Sequence, residues 1–350
     1  MIIRKAFEES EERNLRPEAA LSARSRGRSR PEEECHIRTA FQRDRDRIIH
    51  SESFRRLKHK TQVFLITLTE THRTRLTHTI EVSQIARTIA QALSLNEDLT
   101  EAIALGHDLG HAPFGHVGEQ VLNEISSFGF KHNEQSIRVI EVLEKKGQGL
   151  NLTYEVKDGI LKHSRGATSL LEETDKDKPA TLEGAIVRLA DSIAYVNHDI
   201  QDALFAGLIK LDDLPAQALA LLGRRHSERI DTMVKDTIEA SWNKGEIRMS
   251  HRVLEATNQL RSYLYRYVYP GKKIQIEARK AAKVIKELFG YYLDHPGEVK
   301  RQLHFLPPHT PIERLVCDYL AWLTDYETLR QYEEIFLPKP WLTEGELEEG

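Results

Sequence analysis

Apolar residues return every three or four positions along most of this chain. In 75–93, "RLTHTIEVSQIARTIAQAL", Leu76, Ile80, Val82, Ile85, Ile89 and Leu93 lie close to one helical stripe. In 181–208, Ile186, Leu189, Ala190, Ile193, Val196, Ile200 and Leu204 face one way. The same periodicity predicts helices over 44–58, 97–106, 132–146, 154–163, 226–243, 250–268, 275–293 and 311–328. Strand signals are sparse. "TQVFLITL" (61–68) is rich in β-branched residues and reads as a short strand or hairpin at most. No repeat of solenoid period is present. The expected fold class is all-α.

Two polar segments interrupt the stripes. "SARSRGRSRPEEE" (22–34) is an Arg/Ser/Gly run followed by acids, and reads as a mobile linker. "EETDKDKPA" (172–180) is a charged turn before the long helix, with Pro179 as a start signal. No sharp domain boundary falls between about 40 and 210.

Composition changes this picture little. The chain has 350 residues, 40% hydrophobic and 30% charged, as in a soluble globular protein large enough for one big helical core or two merged ones. A net charge of -4 gives no general pull toward nucleic acid, so any such binding needs a local basic patch. Cys35 and Cys317 are too few and too far apart for a disulfide framework or a cysteine zinc site. "MIIRKAFEES" becomes charged before a signal-peptide core can form, and no run approaches the roughly 18 apolar residues of a membrane span. The expectation is a cytoplasmic protein without a membrane partner. The 16 histidines are an excess that suits metal or acid–base work.

Three of those histidines crowd into 104–116, "ALGHDLGHAPFGH", beside Asp108. Imidazole and carboxylate are usual ligands for Mn, Fe, Ni, Zn or Mg. The candidates are His78 on helix 75–93, His107 and Asp108 at the end of the next helix, and Asp191 in the long helix. Asp191 lies on the apolar seam of Leu189, Ala190 and Ile193. A carboxylate buried there is costly unless paired or bound to a metal. Gly106 and Gly110 flank the pair and are expected to let the backbone turn. Taken singly, each residue also fits an ordinary packed or capping role. Spacing alone leaves both readings open.

The order His78 … His107-Asp108 … Asp191 matches the H…HD…D pattern of HD-domain phosphohydrolases. "RDRDRIIHSESFRRLKHKTQVF" (43–64), "RLTHT" (75–79), "ALGHDLGHAPFGHVGE" (104–119), "KHNEQS" (131–136), "GILKHS" (159–164) and "RLADSIAYVNHDIQDAL" (188–204) resemble its deoxyguanosine triphosphate triphosphohydrolase branch. "SRGRSRPEEE" (25–34) and "VCDYLAWLTDYETLRQYEEIF" (316–336) are also similar to segments of bacterial members. Coverage is weakest over about 209–300. The resemblance implies an all-α HD-domain fold with a metal site in the helical core, a helical C-terminal extension and at most a short β-hairpin. It implies an N-terminal helix and mobile Arg/Ser-rich loop (1–40), a catalytic core (41–210) and a helical C-terminal region (211–350).

It further implies hydrolysis of a deoxynucleoside triphosphate to the deoxynucleoside and inorganic triphosphate, with one divalent metal (Mn, Mg, Fe, Ni or Zn) at His78, His107, Asp108 and Asp191. Such a cation polarises a phosphate oxygen and makes water acidic enough to attack phosphorus. Arg75, on the same helix face as His78, matches the family's phosphate-contacting arginine. The leaving 5′-oxygen needs a proton. His116 matches the family's donor, and Glu119, three residues on, can orient its ring in a helix. His111 and His132 match histidines that line the phosphate path. Asp191, Tyr195 and Asp199 fall at i, i+4 and i+8 on one helix side. Tyr195 and Asp199 resemble the pair at phosphate and ribose 3′-OH, and Gln62 resembles their partner there. Some relatives carry a lysine after the metal aspartate, where this chain has Ser192; Lys162 is the replacement candidate for that charge.

Two rival readings differ in class. One is another HD phosphohydrolase acting on nucleoside monophosphates or a signalling nucleotide. The other is a nucleotide sensor or single-stranded-DNA binder using basic 22–30. The resemblance also implies a homo-oligomer, whose contacts can build allosteric nucleotide sites.

Overall fold

The structure is a computed structural model that describes residues 3–63, 73–164 and 178–339. It is all-α: among the described residues the only β pairing is two isolated bridges, Arg28 with Thr153 and Thr61 with Thr74. Most of "TQVFLITL", the candidate hairpin, lies outside the described residues. No described helix is long and apolar enough to cross a membrane.

The helices used below are α1 (Ile3–Asn14), α2 (Ala40–Ile49), α3 (Arg75–Ala92), α4 (Glu97–Gly106), α5 (His116–Ile125), α6 (His132–Arg138), α7 (Tyr154–Lys162), α8 (Leu182–Phe205), α9 (His226–Ser241), α10 (His251–Tyr263), α11 (Lys272–Asp294), α12 (Ile312–Trp322) and α13 (Asp325–Phe336). Their starts are chemically marked. Asn96 Oδ1 accepts from Leu99 N at 3.0 Å to cap α4, and Thr181 Oγ1 accepts from Gly184 N at 3.1 Å to cap α8. Helix 44–58 is in fact broken: α2 ends at Ile49 and Ser51 caps a short second helix, Glu52–Arg56. The run 311–328 likewise breaks at Thr324, whose capping box starts α13.

The apolar stripe of α8 is its central feature. Ile186, Val187, Ala190, Ile193, Ala194, Val196, Ile200 and Ala203 are fully buried. They face α3, α4 and α7, whose own stripes include Val82, Ile89, Ile103 and Ile160. Burial of one such aliphatic side chain stabilises by about 1.5–3 kcal/mol, so this seam holds the histidine-bearing helices together.

Gly106 and Gly110 do not serve as turn points, since neither has a positive φ. They allow close approach instead. A Cβ on Gly106 would sit 2.5 Å from Ile160 Cδ1, and one on Gly110 would sit 2.1 Å from Ser136 N. The turn that does need a left-handed backbone is Phe114 (φ 63) and Gly115 (φ 60), directly before α5. It is held from the far end of the chain: Asp325 Oδ1 accepts from Phe114 N and Oδ2 from Thr61 N, both at 2.9 Å. Lys60 Nζ donates to His111 O at 2.6 Å and to Ala321 O at 2.7 Å. Helix α11 packs on α5, and α12 and α13 pack on α11, so the C-terminal helices complete the wall around His116.

The Arg/Ser-rich segment makes specific contacts. Arg28 pairs with the fully buried Asp44, and Glu155 receives hydrogen bonds from Ser25 Oγ at 2.7 Å and Arg26 N at 2.8 Å. Arg47 Nη2 donates to both carboxylate oxygens of Glu32 at 2.8 Å.

Candidate active site

A cleft of about 1240 Å³ opens between α3, α5, α6, α7, α8, α10 and α11. Its floor is the histidine–aspartate cluster. α3 delivers Arg75 and His78, the turn after α4 delivers His107, Asp108 and His111, and α8 delivers Asp191.

The hydrogen bonds fix which ring nitrogens are free. His107 Nδ1 lies 2.6 Å from Ala104 O, which accepts only, so Nδ1 carries the proton. His107 Nε2 then holds a lone pair. It is buried without a hydrogen-bond partner, 3.4 Å from Asp108 Oδ2 and 3.9 Å from Asp191 Oδ1. His78 Nε2 lies 3.1 Å from Asp191 Oδ1. Two imidazole nitrogens and carboxylate oxygens from three elements therefore converge. That donor set fits a divalent cation. The charge state agrees. Burial disfavours ionised Asp108 and Asp191, yet the neighbouring histidines (and Arg75 at Asp108) outweigh it, holding Asp191 down at about 2 and Asp108 well below the usual carboxylate range. Burial also disfavours protonated His107, but the two carboxylates raise its pKa to about 9, a field that welcomes a cation as readily as a proton.

Arg75 is almost fully buried and aims Nη1 at Asp108 Oδ2, 2.6 Å away. Its Nη2 donates to Gln62 O at 3.3 Å. A guanidinium thus stands against the cluster, at the edge of the cleft.

A second group lies beside the first. Glu119 Oε2 is 3.2 Å from His116 Nδ1, and Glu119 Oε1 is 2.8 Å from both His132 Nδ1 and His132 N. One carboxylate therefore orients two histidines. Burial opposes its charge, but His132 and His116 hold it far below the usual range. Burial likewise opposes protonated His132, and Glu119 outweighs it and raises its pKa. His116 has 65% of its side chain exposed to the cleft. His111 stacks on His132, ring centres 4.1 Å apart at 13°, with Nε2 3.5 Å from Asp108 Oδ1. Burial and Arg75 push His111 well below its usual pKa.

The outer wall holds the remaining candidates. Gln62 Oε1 and Asp199 Oδ1 are buried oxygens without partners, and both residues line the cleft. Asp199 Oδ2 accepts from Tyr269 Oη at 2.5 Å, and Tyr269 Oη lies 2.9 Å from Tyr195 Oη. Burial pushes the Asp199 carboxyl well up. Lys162 also lines the cleft, but its Nζ is paired with Asp158 Oδ1 at 2.8 Å.

Sequence reasoning missed three contributions. His163, adjacent to Lys162, is buried with Nε2 3.1 Å from His132 Nε2 and 3.9 Å from Asp108 Oδ1. Its signal was its place on the apolar end of helix 154–163. Tyr265 and Tyr269 come from 209–300, where no motif pointed to the cleft. His198 lies behind His78; at i+7 from Asp191 it shares a helix side with it, a spacing that was legible.

Residues 75–196 match the HD domain, and residues 247–334 match the phosphohydrolase-associated domain. A deoxyguanosinetriphosphate triphosphohydrolase-like protein of Caldanaerobacter subterraneus subsp. tengcongensis is 55% identical over 345 residues, covering 99% of each chain. Proteins of the same description from Clostridium perfringens (strain 13) and Desulfatibacillum aliphaticivorans are 50% and 48% identical, each across 97% of this chain and 99% of the relative. A solved hypothetical protein from Aquifex aeolicus superposes with TM-score 0.45 at 20% identity, over 85% of this chain and 68% of that one.

Proposed function

We propose, because this chain belongs to the deoxyguanosinetriphosphate triphosphohydrolase-like family of HD-domain proteins, that it hydrolyses deoxynucleoside triphosphates to deoxynucleoside and inorganic triphosphate. It is a metal-dependent phosphohydrolase of the HD class. The observation that carries the finer reading is the pairing of two groups in one cleft: acceptor atoms suited to a cation on the floor, and a carboxylate-held histidine open to the substrate.

His78, His107, Asp108 and Asp191 would hold one divalent cation, which supplies a Lewis acid for a phosphate oxygen and acidifies water. The chain's own residues do the rest. Arg75, fixed by Asp108, presents a permanent positive charge to an α-phosphate oxygen as negative charge develops there. His116, oriented by Glu119, gives a proton to the departing 5′-oxygen, which leaves as the nucleoside hydroxyl. His111 and His132 line the phosphate path, the second held by the same carboxylate. Lys162 contributes at most a charge already shared with Asp158. Tyr195 stands over the sugar, where its ring would crowd a 2′-hydroxyl. Within this reading the chain divides at about 40 and 210, and copies of it associate.

All four dNTPs, singly and mixed, with Mn or Mg and products resolved by mass, test the activity. Deoxynucleoside with triphosphate is expected, and orthophosphate release without triphosphate would refute it.

The sugar reading has its own expected result. Gln62 Oε1 and Asp199 Oδ1 are unpartnered; the substrate's 3′-hydroxyl donates to the Gln62 oxygen and accepts from the Asp199 carboxyl, which burial favours in its protonated form. A buried polar group left without its partner costs about 1–3 kcal/mol, so losing the hydroxyl at two such groups lowers kcat/KM by about 10–10³-fold. A 2′,3′-dideoxy substrate should be poorer by that factor. Asp199→Ala should narrow the gap, mainly by slowing the deoxy substrate. Equal kcat/KM for the matched pair on wild type would return both residues to a structural role.

A further inference from the structure

We infer that His198 is a positioning residue for the cation site, acting through His78 and anchored by Glu81; the inference rests on the cation site proposed above. His198 is buried on α8, on the helix side of Asp191 but behind the lining of the cleft. Its Nδ1 lies 3.1 Å from His78 Nδ1, and its Nε2 lies 3.0 Å from Glu81 Oε2. Glu81 is itself held by Arg73, whose Nε donates to Oε2 at 2.7 Å and whose Nη1 donates to Asp202 Oδ1 at 2.8 Å. The His198 ring stacks on His226, centres 5.9 Å apart.

Proton placement along this row follows from who can donate. An ionised carboxylate only accepts, so His198 Nε2 carries hydrogen and donates to Glu81. A neutral imidazole has one N–H, so His198 Nδ1 is an acceptor. The contact with His78 Nδ1 then requires the hydrogen on His78. That leaves Nε2, 3.1 Å from Asp191 Oδ1, as the nitrogen whose lone pair a cation held by Asp191 would take. The row therefore selects the tautomer and the ring orientation in which His78 is a cation ligand. His107 reaches the same state with a backbone carbonyl, Ala104 O; His78, near the start of α3, has no such carbonyl among its side-chain contacts. His198 takes that place. Outer partners of this kind typically matter about 10–100-fold in metal affinity.

The test uses the full chain stripped of metal. Mn²⁺ affinity is measured by calorimetry, the d–d absorption is recorded after loading with Co²⁺, and unfolding temperature is read without metal. His198→Phe keeps a ring against His226 but accepts nothing from His78. It should bind Mn²⁺ about 10–100-fold more weakly and change the Co²⁺ spectrum. His198→Gln, which can accept from His78 and donate to Glu81, should recover most of the affinity. Glu81→Ala loosens the row from its half-exposed end and should weaken Mn²⁺ binding about several-fold, a readout that serves if the phenylalanine variant fails to fold. Wild-type affinity and spectrum in His198→Phe, equal losses in the phenylalanine and glutamine variants, or unchanged affinity in Glu81→Ala would each overturn the inference. His107→Ala is the control for the underlying site: if it binds Mn²⁺ like wild type, the cation site itself is misplaced, whatever His198 does.

Discussion

Replacing Asp191 with asparagine, or His107 with alanine, is expected to remove metal and activity together while leaving the fold in place. The expectation comes from how the ligands are carried. His78 sits on α3, His107 and Asp108 follow α4, and Asp191 sits on α8. These elements are held by an apolar seam of Val82, Ile103, Ile193 and their neighbours, which needs no ion. Asp191 Oδ1 stands between the two imidazoles, 3.1 Å from His78 Nε2 and 3.9 Å from His107 Nε2. An asparagine there supplies no negative charge and brings an N–H that competes for those lone pairs. His107→Ala removes a lone pair outright. Turnover should fall to background and elemental analysis should show metal lost from both, with helical circular dichroism unchanged. Full metal occupancy in both variants would sink the ligand assignment.

The next largest effect is expected at His116. His116→Ala should retain metal and substrate binding yet lose turnover by about 10²–10⁴-fold, the usual worth of a general acid. The geometry supports this separation. His116 is the most exposed histidine of the cleft and touches no candidate ligand, while its Nδ1 is held by Glu119 and its other nitrogen is left for substrate. Glu119→Gln should cost less, because an amide oxygen can still accept from one ring N–H. It should not be silent, since Glu119 also holds His132 through both ring and backbone. Steady-state kinetics at saturating metal measures both. Normal turnover in His116→Ala would move the proton donation to His111 or His132.

The helices were legible because burial writes a stripe. Where α3 and α8 bury one face, their apolar residues return at helical spacing, and their ends fall within a few residues of expectation. The breaks were less legible. Ser51 and Thr324 cap helices within runs whose apolar period continues across the break, so the pattern alone favours one long helix. The start of α5 was hidden for another reason: Phe114 adopts a positive φ that no local rule assigns to phenylalanine, and it is secured by Asp325 from the far end of the chain.

The candidate site divides the same way. His78, His107, Asp108 and Asp191 are chemically out of place on apolar seams, and the structure brings them together. Lys162 stood out by its charge, while its neighbour His163 lies in the cluster; one residue of helix turns a side chain by about 100°. Tyr269 reaches Asp199 only after Leu264–Val268 widens into a π-helical turn, a local irregularity without a compositional mark. By sequence Gly106 and Gly110 suggest turning backbone, but their use is a missing Cβ, which depends on what stands opposite.

The central claim is attack at the α-phosphorus with departure of the nucleoside 5′-oxygen. Turnover of a dNTP in ¹⁸O-water, with both products resolved by mass, tests it most directly. The account expects inorganic triphosphate carrying one ¹⁸O and an unlabelled deoxynucleoside. Label in the deoxynucleoside, or release of orthophosphate or pyrophosphate in place of triphosphate, would contradict it.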